Sequence, residues 1–305
     1  MVDAPPTGPQ GLLNAMTVDV EEHFQVSGFE RSVRRETWDS LPSRVEANTE
    51  RMLDVFESAG VLATFFVLGW VAERHADLVR RIAVRGHEIG CHGYSHRLVY
   101  EQEPQEFRDE VELSRRILQD ASGQAVDGYR AASFSIGRHN LWALDVLVEA
   151  GFVYDSSLFP VYHDRYGYPG APRGVHRLRT PLGQSLVEVP PSTLSLGRAT
   201  LPVAGGGYLR LYPKAFSRWV IRRLNRHEGM PAVVYVHPWE LDQDQPRLPA
   251  GLFSRMRHYR GLDTTESKLR DLMRHFRFGP VREVIEQAAR GEARLTDGAL
   301  ARSLS

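Results

Sequence analysis

His92 and His96 stand four residues apart in the run Gly86-His-Glu-Ile-Gly-Cys-His92-Gly-Tyr-Ser-His96. Imidazoles at that spacing can reach one metal ion from a single helical turn or a tight loop, although His-x-x-x-His alone also arises by chance. Two other segments raise its weight. The apolar approach through residues 12–20 delivers Asp19, Glu21 and Glu22, and the run Ala232-Val-Val-Tyr-Val236 delivers His237. Two histidines and a carboxylate leave a divalent cation with open positions for water and substrate, which is the layout of a hydrolytic site. Gly86, Gly90 and Gly93 beside the pair suit a constrained backbone. Strand alternation turns Cys91 away from His92, so its thiol reads as buried and apolar.

Asp19-Val-Glu21 puts two carboxylates on one side of a strand. Carboxylates so close repel, so one is expected to bind a cation while the other keeps a usable basicity. The plainer reading is a solvated acidic turn. Arg130 lies inside the apolar run Gly-Tyr-Arg130-Ala-Ala-Ser-Phe134-Ser-Ile136, where an unpaired guanidinium would be costly. It should pair with a buried carboxylate, and Asp19 is the natural partner. Asp155, opening Asp155-Ser-Ser-Leu-Phe-Pro160, either makes a turn or orients a neighbouring imidazole. His237, in Val236-His-Pro-Trp-Glu240, fits a general acid, since an ordinary imidazole pKa near 6.5 suits proton donation. Trp239 is core or a platform for a sugar face, and Tyr208 and Arg210 line a sugar groove or belong to a tight loop. His23, His139, His163, His176 and His258 read as surface or supporting residues.

Short apolar runs at 15–20, 61–68, 87–91, 128–134, 152–154, 185–189 and 232–236 alternate with amphipathic stretches, such as Phe107, Val111 and Leu118. Glycines at 60, 86 and 151 suit helix ends leading into the next strand. Asp263-Thr-Thr-Glu266 resembles a capping box that opens a helix running to Phe276. Alternating strands and helices predict parallel β–α units, in which functional residues gather at the C-terminal ends of strands. Asp19, Glu21, His92, Arg130, Asp155 and His237 all fall in or just after strands. Residues 160–181 and 190–212 read as long rim loops, residues 1–13 as a disordered lead-in, 14–285 as one catalytic domain, and 286–305 as a polar tail.

Positive and negative side chains balance, 38 against 38, so no basic excess points to nucleic acid. No apolar stretch is long enough to span a membrane. One cysteine excludes an internal disulfide framework, and the first ten residues lack a secretory pattern, so a cytoplasmic location is expected.

These motifs resemble those of the polysaccharide deacetylases of carbohydrate esterase family 4, particularly the branch associated with bacterial exopolysaccharide loci. The likeness runs from about residue 15 to 278 through Thr-Val-Asp19-Val-Glu21-Glu22, the His92–His96 run, Gly-Tyr-Arg130-Ala-Ala-Ser-Phe134, Tyr-Asp155-Ser-Ser-Leu-Phe and Val-His237-Pro-Trp239-Glu. It departs from the family pattern in spacing its first acids and in carrying Ala132 where proline is usual. The resemblance implies an α/β fold, an irregular TIM-like (β/α) barrel of about seven strands. It implies Asp19 as base, steadied by Arg130, and His237 as acid, with Asp155 as a further catalytic residue. A divalent metal would be held by Glu21, His92 and His96, with Glu22 as the substitute for Glu21. Zinc is the first expectation, and cobalt, nickel or manganese also fit the ligand set. Substrate contacts are expected from Trp239, Phe134, Tyr208 and Arg210. The implied activity is removal of N-acetyl groups from a hexosamine-containing polysaccharide or its lipid-linked precursor, with peripheral contact to membrane-bound glycan machinery. A deformylase or cyclic-amide hydrolase would use the same groups, and a silent carbohydrate-binding module would keep only the barrel.

Overall fold

The structure, a computed structural model, describes residues 11–163, 166–197, 199–203 and 205–298. The strands are β1 (Asn14–Val20), β2 (Thr64–Val67), β3 (Glu88–Cys91), β4 (Gly128–Tyr129), β5 (Tyr154–Asp155), β6 (His176–Arg179), β7 (Ser185–Glu188), β8 (Thr193–Leu196), β9 (Ala199–Pro202), β10 (Val233–Val236), β11 (Phe278–Gly279) and β12 (Thr296–Gly298). A parallel sheet runs β10-β1-β2-β3-β4-β5-β7. This is the seven-stranded parallel arrangement expected, bent into an open ring. Among the described residues no ladder joins β7 to β10. Ser192 bonds Val233 through its backbone (3.3 Å) and hydroxyl (2.7 Å), and Gly205 forms an isolated bridge to Tyr235.

β1 shows how the sequence sets the layers. All seven of its residues are buried, as a parallel strand covered on both faces requires. Met16, Val18 and Val20 pack outward with residues of the surrounding helices, among them Leu53, Phe56 and Leu272. Ala15 belongs to the inner cluster with Phe66, Tyr154, Val233 and Val281. Period-two alternation therefore sends Thr17 and Asp19 into the ring, toward its C-terminal mouth. The opposite mouth is plugged by the helix Val281–Ala289, whose first N–H groups donate to Thr64 Oγ1 (2.7 Å) and Glu88 Oε2 (3.2 Å).

Several expectations need correction. The run 128–134 pairs only at Gly128–Tyr129, because Ser133 and Phe134 take positive φ (50° and 54°) and turn the chain away. The stretch 190–212 holds the β8–β9 hairpin and the helix Gly206–Leu211, and 160–181 ends in β6. Within the stretch read as a polar tail, Thr296–Gly298 form β12 on the edge of β6. The helix Leu262–His275 starts after Gly261 (φ 75°) with no side-chain cap, and Glu266 pairs with Arg51 and Arg270. A capping box occurs elsewhere, where Glu103 and Glu106 open Pro104–Ser122.

Candidate active site and metal centre

At the C-terminal mouth, Glu21, His92 and His96 converge: one ligand atom from each lies within 4.8 Å of the others, and all three residues are buried. Glu21 arrives two residues past Asp19 on the course set by β1. His92 follows β3, whose close packing needs glycine, since a Cβ at Gly90 would lie 2.5 Å from the Phe66 ring. His96 is held at φ 53°, a left-handed backbone uncommon outside glycine and characteristic of constrained functional sites.

The chemistry of the donors fits a cation. His92 Nδ1 lies 2.8 Å from the Arg130 carbonyl oxygen, which can only accept, so Nδ1 carries the proton and Nε2 keeps a free lone pair. Burial lowers the His92 pKa to about 4 against the opposing pull of Asp19 and Glu21, so the ring is neutral. Burial alone would raise Glu21, but the neighbouring imidazoles, His96 above all, bring it to about 2. Its Oε1 accepts from the Trp239 indole (3.1 Å). Its Oε2 is 2.9 Å from His96 Nε2 but receives no well-aligned hydrogen bond, leaving a buried anionic oxygen that a cation would satisfy.

Glu22, the substitute ligand, faces elsewhere. It accepts from Ser43 Oγ (2.5 Å) and from the backbone N–H groups of Arg44 (3.0 Å) and Val45 (3.2 Å), capping the helix Val45–Glu57 from a distance. That carboxylate at a helix N-terminus contributes on the order of 1 kcal/mol.

Asp19 lies next to the centre. Its Oδ1 accepts from Arg130 Nη1 (2.7 Å), and the fully buried guanidinium also bonds Thr17 Oγ1 (2.7 Å) and Ser156 Oγ (2.9 Å) and lies over the Phe66 ring. Oδ2 is left facing His237 Nε2 at 4.0 Å. His237 Nε2 is also 3.7 Å from Glu21 Oε1, while Nδ1 lies 2.7 Å from Glu240 Oε1. Burial would lower the His237 pKa, but the Glu240 hydrogen bond and the charges of Glu21, Glu240 and Asp19 raise it to about 8.

Other expected contacts fall differently. Asp155 is buried against Ser157 Oγ (2.6 Å) and hydrogen-bonded to Glu188, and touches no imidazole. Burial raises it to about 6 and raises Glu188 further. Through Ser157, which accepts from Ala131 N–H (2.8 Å), it braces the turn after Arg130. Trp239 is buried, stacked between His237 and His258, so it supports Glu21 and offers no exposed face to a sugar. Arg210 is buried too, its Nε 2.7 Å from Glu240 Oε2, and lines no groove. Phe134 packs under the rim against Phe159 and Tyr235, and half-buried Tyr208 meets Tyr166 hydroxyl to hydroxyl at 3.3 Å. His23, His176 and His258 are buried, not superficial, whereas His139 is exposed. Cys91 is buried and its thiol is pushed up to about 12.

The polysaccharide deacetylase family matches residues 32–154, and a domain of unknown function (DUF3473) matches residues 156–286. A chitooligosaccharide deacetylase from Bradyrhizobium sp. (strain ANU 289) is 35% identical over 99 residues, covering 32% of this chain and 43% of the relative. A peptidoglycan deacetylase from Helicobacter pylori (strain ATCC 700392 / 26695) is 30% identical over 126 residues, covering 40% and 42% respectively. The chain thus spans less than half the length of these curated relatives. A solved structure assigned to the polysaccharide deacetylases, from Mycobacterium smegmatis, aligns with a TM-score of 0.62 and 22% identity over 99% of this chain and 97% of that one, which shows a shared fold. The mouth of the ring draws on both matched regions and on the segment before them: Asp19 and Glu21 precede residue 32, His92, His96 and Arg130 lie within 32–154, and His237 lies within 156–286. Residues 32–154 therefore carry a polysaccharide deacetylase domain, of the carbohydrate esterase family 4 type, and the DUF3473 region continues the same sheet.

Proposed function

We propose that the chain is a metal-dependent hydrolase that removes N-acetyl groups from an N-acetylhexosamine-containing glycan. One observation carries this reading: a candidate base, a candidate acid and a Glu–His–His cation site face one another at a single mouth, within 4.0 Å from Asp19 to His237 and 3.7 Å from His237 to Glu21. Glu21, His92 and His96 would hold the cation, with zinc the first candidate and cobalt, nickel or manganese also compatible. When bound, such an ion supplies Lewis acidity and makes water a competent nucleophile near neutral pH.

Asp19 removes a proton from the attacking water. Arg130 occupies Oδ1 and fixes the carboxylate, so Oδ2 is the oxygen available to the proton. His237 presents Nε2 to the leaving nitrogen, because Nδ1 is engaged by Glu240. Protonating that nitrogen matters because an amine anion is too poor a leaving group to depart. The likeness of the five motifs together to the exopolysaccharide-associated branch supports a polymer or its lipid-linked precursor as substrate, handled on the cytoplasmic side beside membrane-bound machinery. Among the described residues no helix is long and apolar enough to cross a membrane.

The test is acetate release from N-acetylated chito-oligosaccharides by metal-loaded protein, beside His237→Ala. Release by the native chain and its loss, about 100-fold or more, in the variant are expected. No release from any N-acetylated oligosaccharide or polysaccharide offered, with the cation bound, would refute the reading.

A further inference from the structure

His237 is held by a chain of buried charges that begins in residues 156–286. Its Nδ1 lies 2.7 Å from Glu240 Oε1, and the same oxygen accepts the His237 backbone N–H at 3.0 Å, so one carboxylate grips both the ring and the main chain. Pro238 at the start of the short helix Pro238–Leu241 fixes the i, i+3 geometry of that grip. Glu240 Oε2 lies 2.7 Å from Arg210 Nε. Arg210 is in turn anchored through Nη1 to the carbonyls of His258 and Arg260 (3.1 Å), and through Nη2 to that of Arg257 (3.1 Å). Its own carbonyl accepts from buried Lys268 (2.5 Å). Asp155, another buried acid, engages Ser157 and Glu188 and reaches no imidazole.

We infer that Glu240 and Arg210 are the positioning pair of the active site, with Glu240 holding the proton on Nδ1 of His237 and aiming Nε2 at the leaving nitrogen, and Arg210 holding Glu240. This gives the region of undefined function a role: it supplies and aligns the acid half of the site, while residues 19–130 supply the cation and base half. The inference rests on the deacetylase reading and deepens it. A carboxylate that accepts from Nδ1 selects one imidazole tautomer, and a guanidinium with its other donors tied to fixed carbonyls cannot swing away. A salt bridge serving stability alone would not need to share its acid with the ring that faces Asp19 and Glu21.

The test separates proton donation from everything else by changing the leaving group. An amine must be protonated to depart, whereas the phenolate of an activated aryl acetate need not be. Glu240→Gln should lower kcat on an N-acetylated oligosaccharide about 100-fold, leave KM within about twofold, and leave aryl acetate turnover within about threefold. Metal per chain should not change. In metal-free protein labelled with 15N-histidine, the Nδ1–H signal of His237 should be lost or shifted in the variant. Arg210→Lys should show the same selectivity at about tenfold, and it serves if Glu240→Gln does not fold. Equal losses on amide and ester, or a selective amide loss in Asp155→Asn and not in the Glu240 or Arg210 variants, would overturn the assignment. His237→Ala distinguishes the layers: if it keeps amide turnover, the acid role itself fails, and with it the pair's function.

Discussion

His92, buried, and His237, half-buried, both lie just past strand ends at the same mouth, and their environments drive the two imidazoles to opposite states. His92 Nδ1 meets a neutral backbone carbonyl, and burial brings its pKa to about 4. Burial acts the same way on His237, but Nδ1 there meets Glu240, and three carboxylates together raise the pKa to about 8. One ring is neutral with a free lone pair on Nε2, as a cation ligand needs, and the other holds a proton near neutral pH, as a general acid needs. Desolvation pushes both rings toward the neutral form, and the carboxylate on the second nitrogen of His237 reverses it there.

The sharpest way to break this division of labour is at Asp19. Asp19→Asn should retain the cation and lose turnover by about 10²- to 10⁴-fold, since it removes the base but none of the three ligands. Near-normal turnover would reassign the base. Arg130→Met leaves Asp19 buried without its partner and should cost about 3–5 kcal/mol of stability, read as a lowered denaturant midpoint. A loss under 1 kcal/mol would mean that Asp19 is better hydrated than its burial indicates. Trp239→Phe removes the indole donor to Glu21 and should weaken cation affinity about 10- to 100-fold, measured by competition with a chelating dye. Unchanged affinity would limit Trp239 to packing.

The smallest effect concerns Asp155, whose pKa is raised to about 6 by burial. Its contribution to stability is fully present below its unfolded pKa near 4 and is lost as pH rises through about 6. The stability difference between native protein and Asp155→Asn should therefore shift against the native chain between pH 4 and 7, by roughly 2 kcal/mol. Parallel curves over that range would show that Asp155 does not titrate there.

Much of the site was legible because its segments are strongly patterned. An apolar run buried on both faces, as β1 is, fixes which residues alternate inward, and so places Asp19 and Glu21 together. The same alternation distinguished Glu21 from Glu22. What it could not show was the positive occupation of Glu22 by a helix start more than 20 residues away. Arg210 was misread for a related reason: a Gly-rich approach looks like a loop, yet Gly206–Leu211 forms a helix turned into the protein, and the anchoring carbonyls come from residues 257–260. Asp155 carried no local sign that Glu188 would be its partner. Glu240 had a readable signal that went unused, since His-Pro-x-Glu is the i, i+3 pattern of a capping box with proline at its first position.

The proposed function depends on one cation per chain held by Glu21, His92 and His96. Its most direct test is metal analysis after purification without chelator and equilibration with zinc, on the native protein, His92→Ala and Asp19→Asn. Close to one tightly bound ion is expected in the native chain and in Asp19→Asn, with loss of that ion together with activity in His92→Ala. Full loading of His92→Ala, or an active native chain with no bound ion, would contradict it.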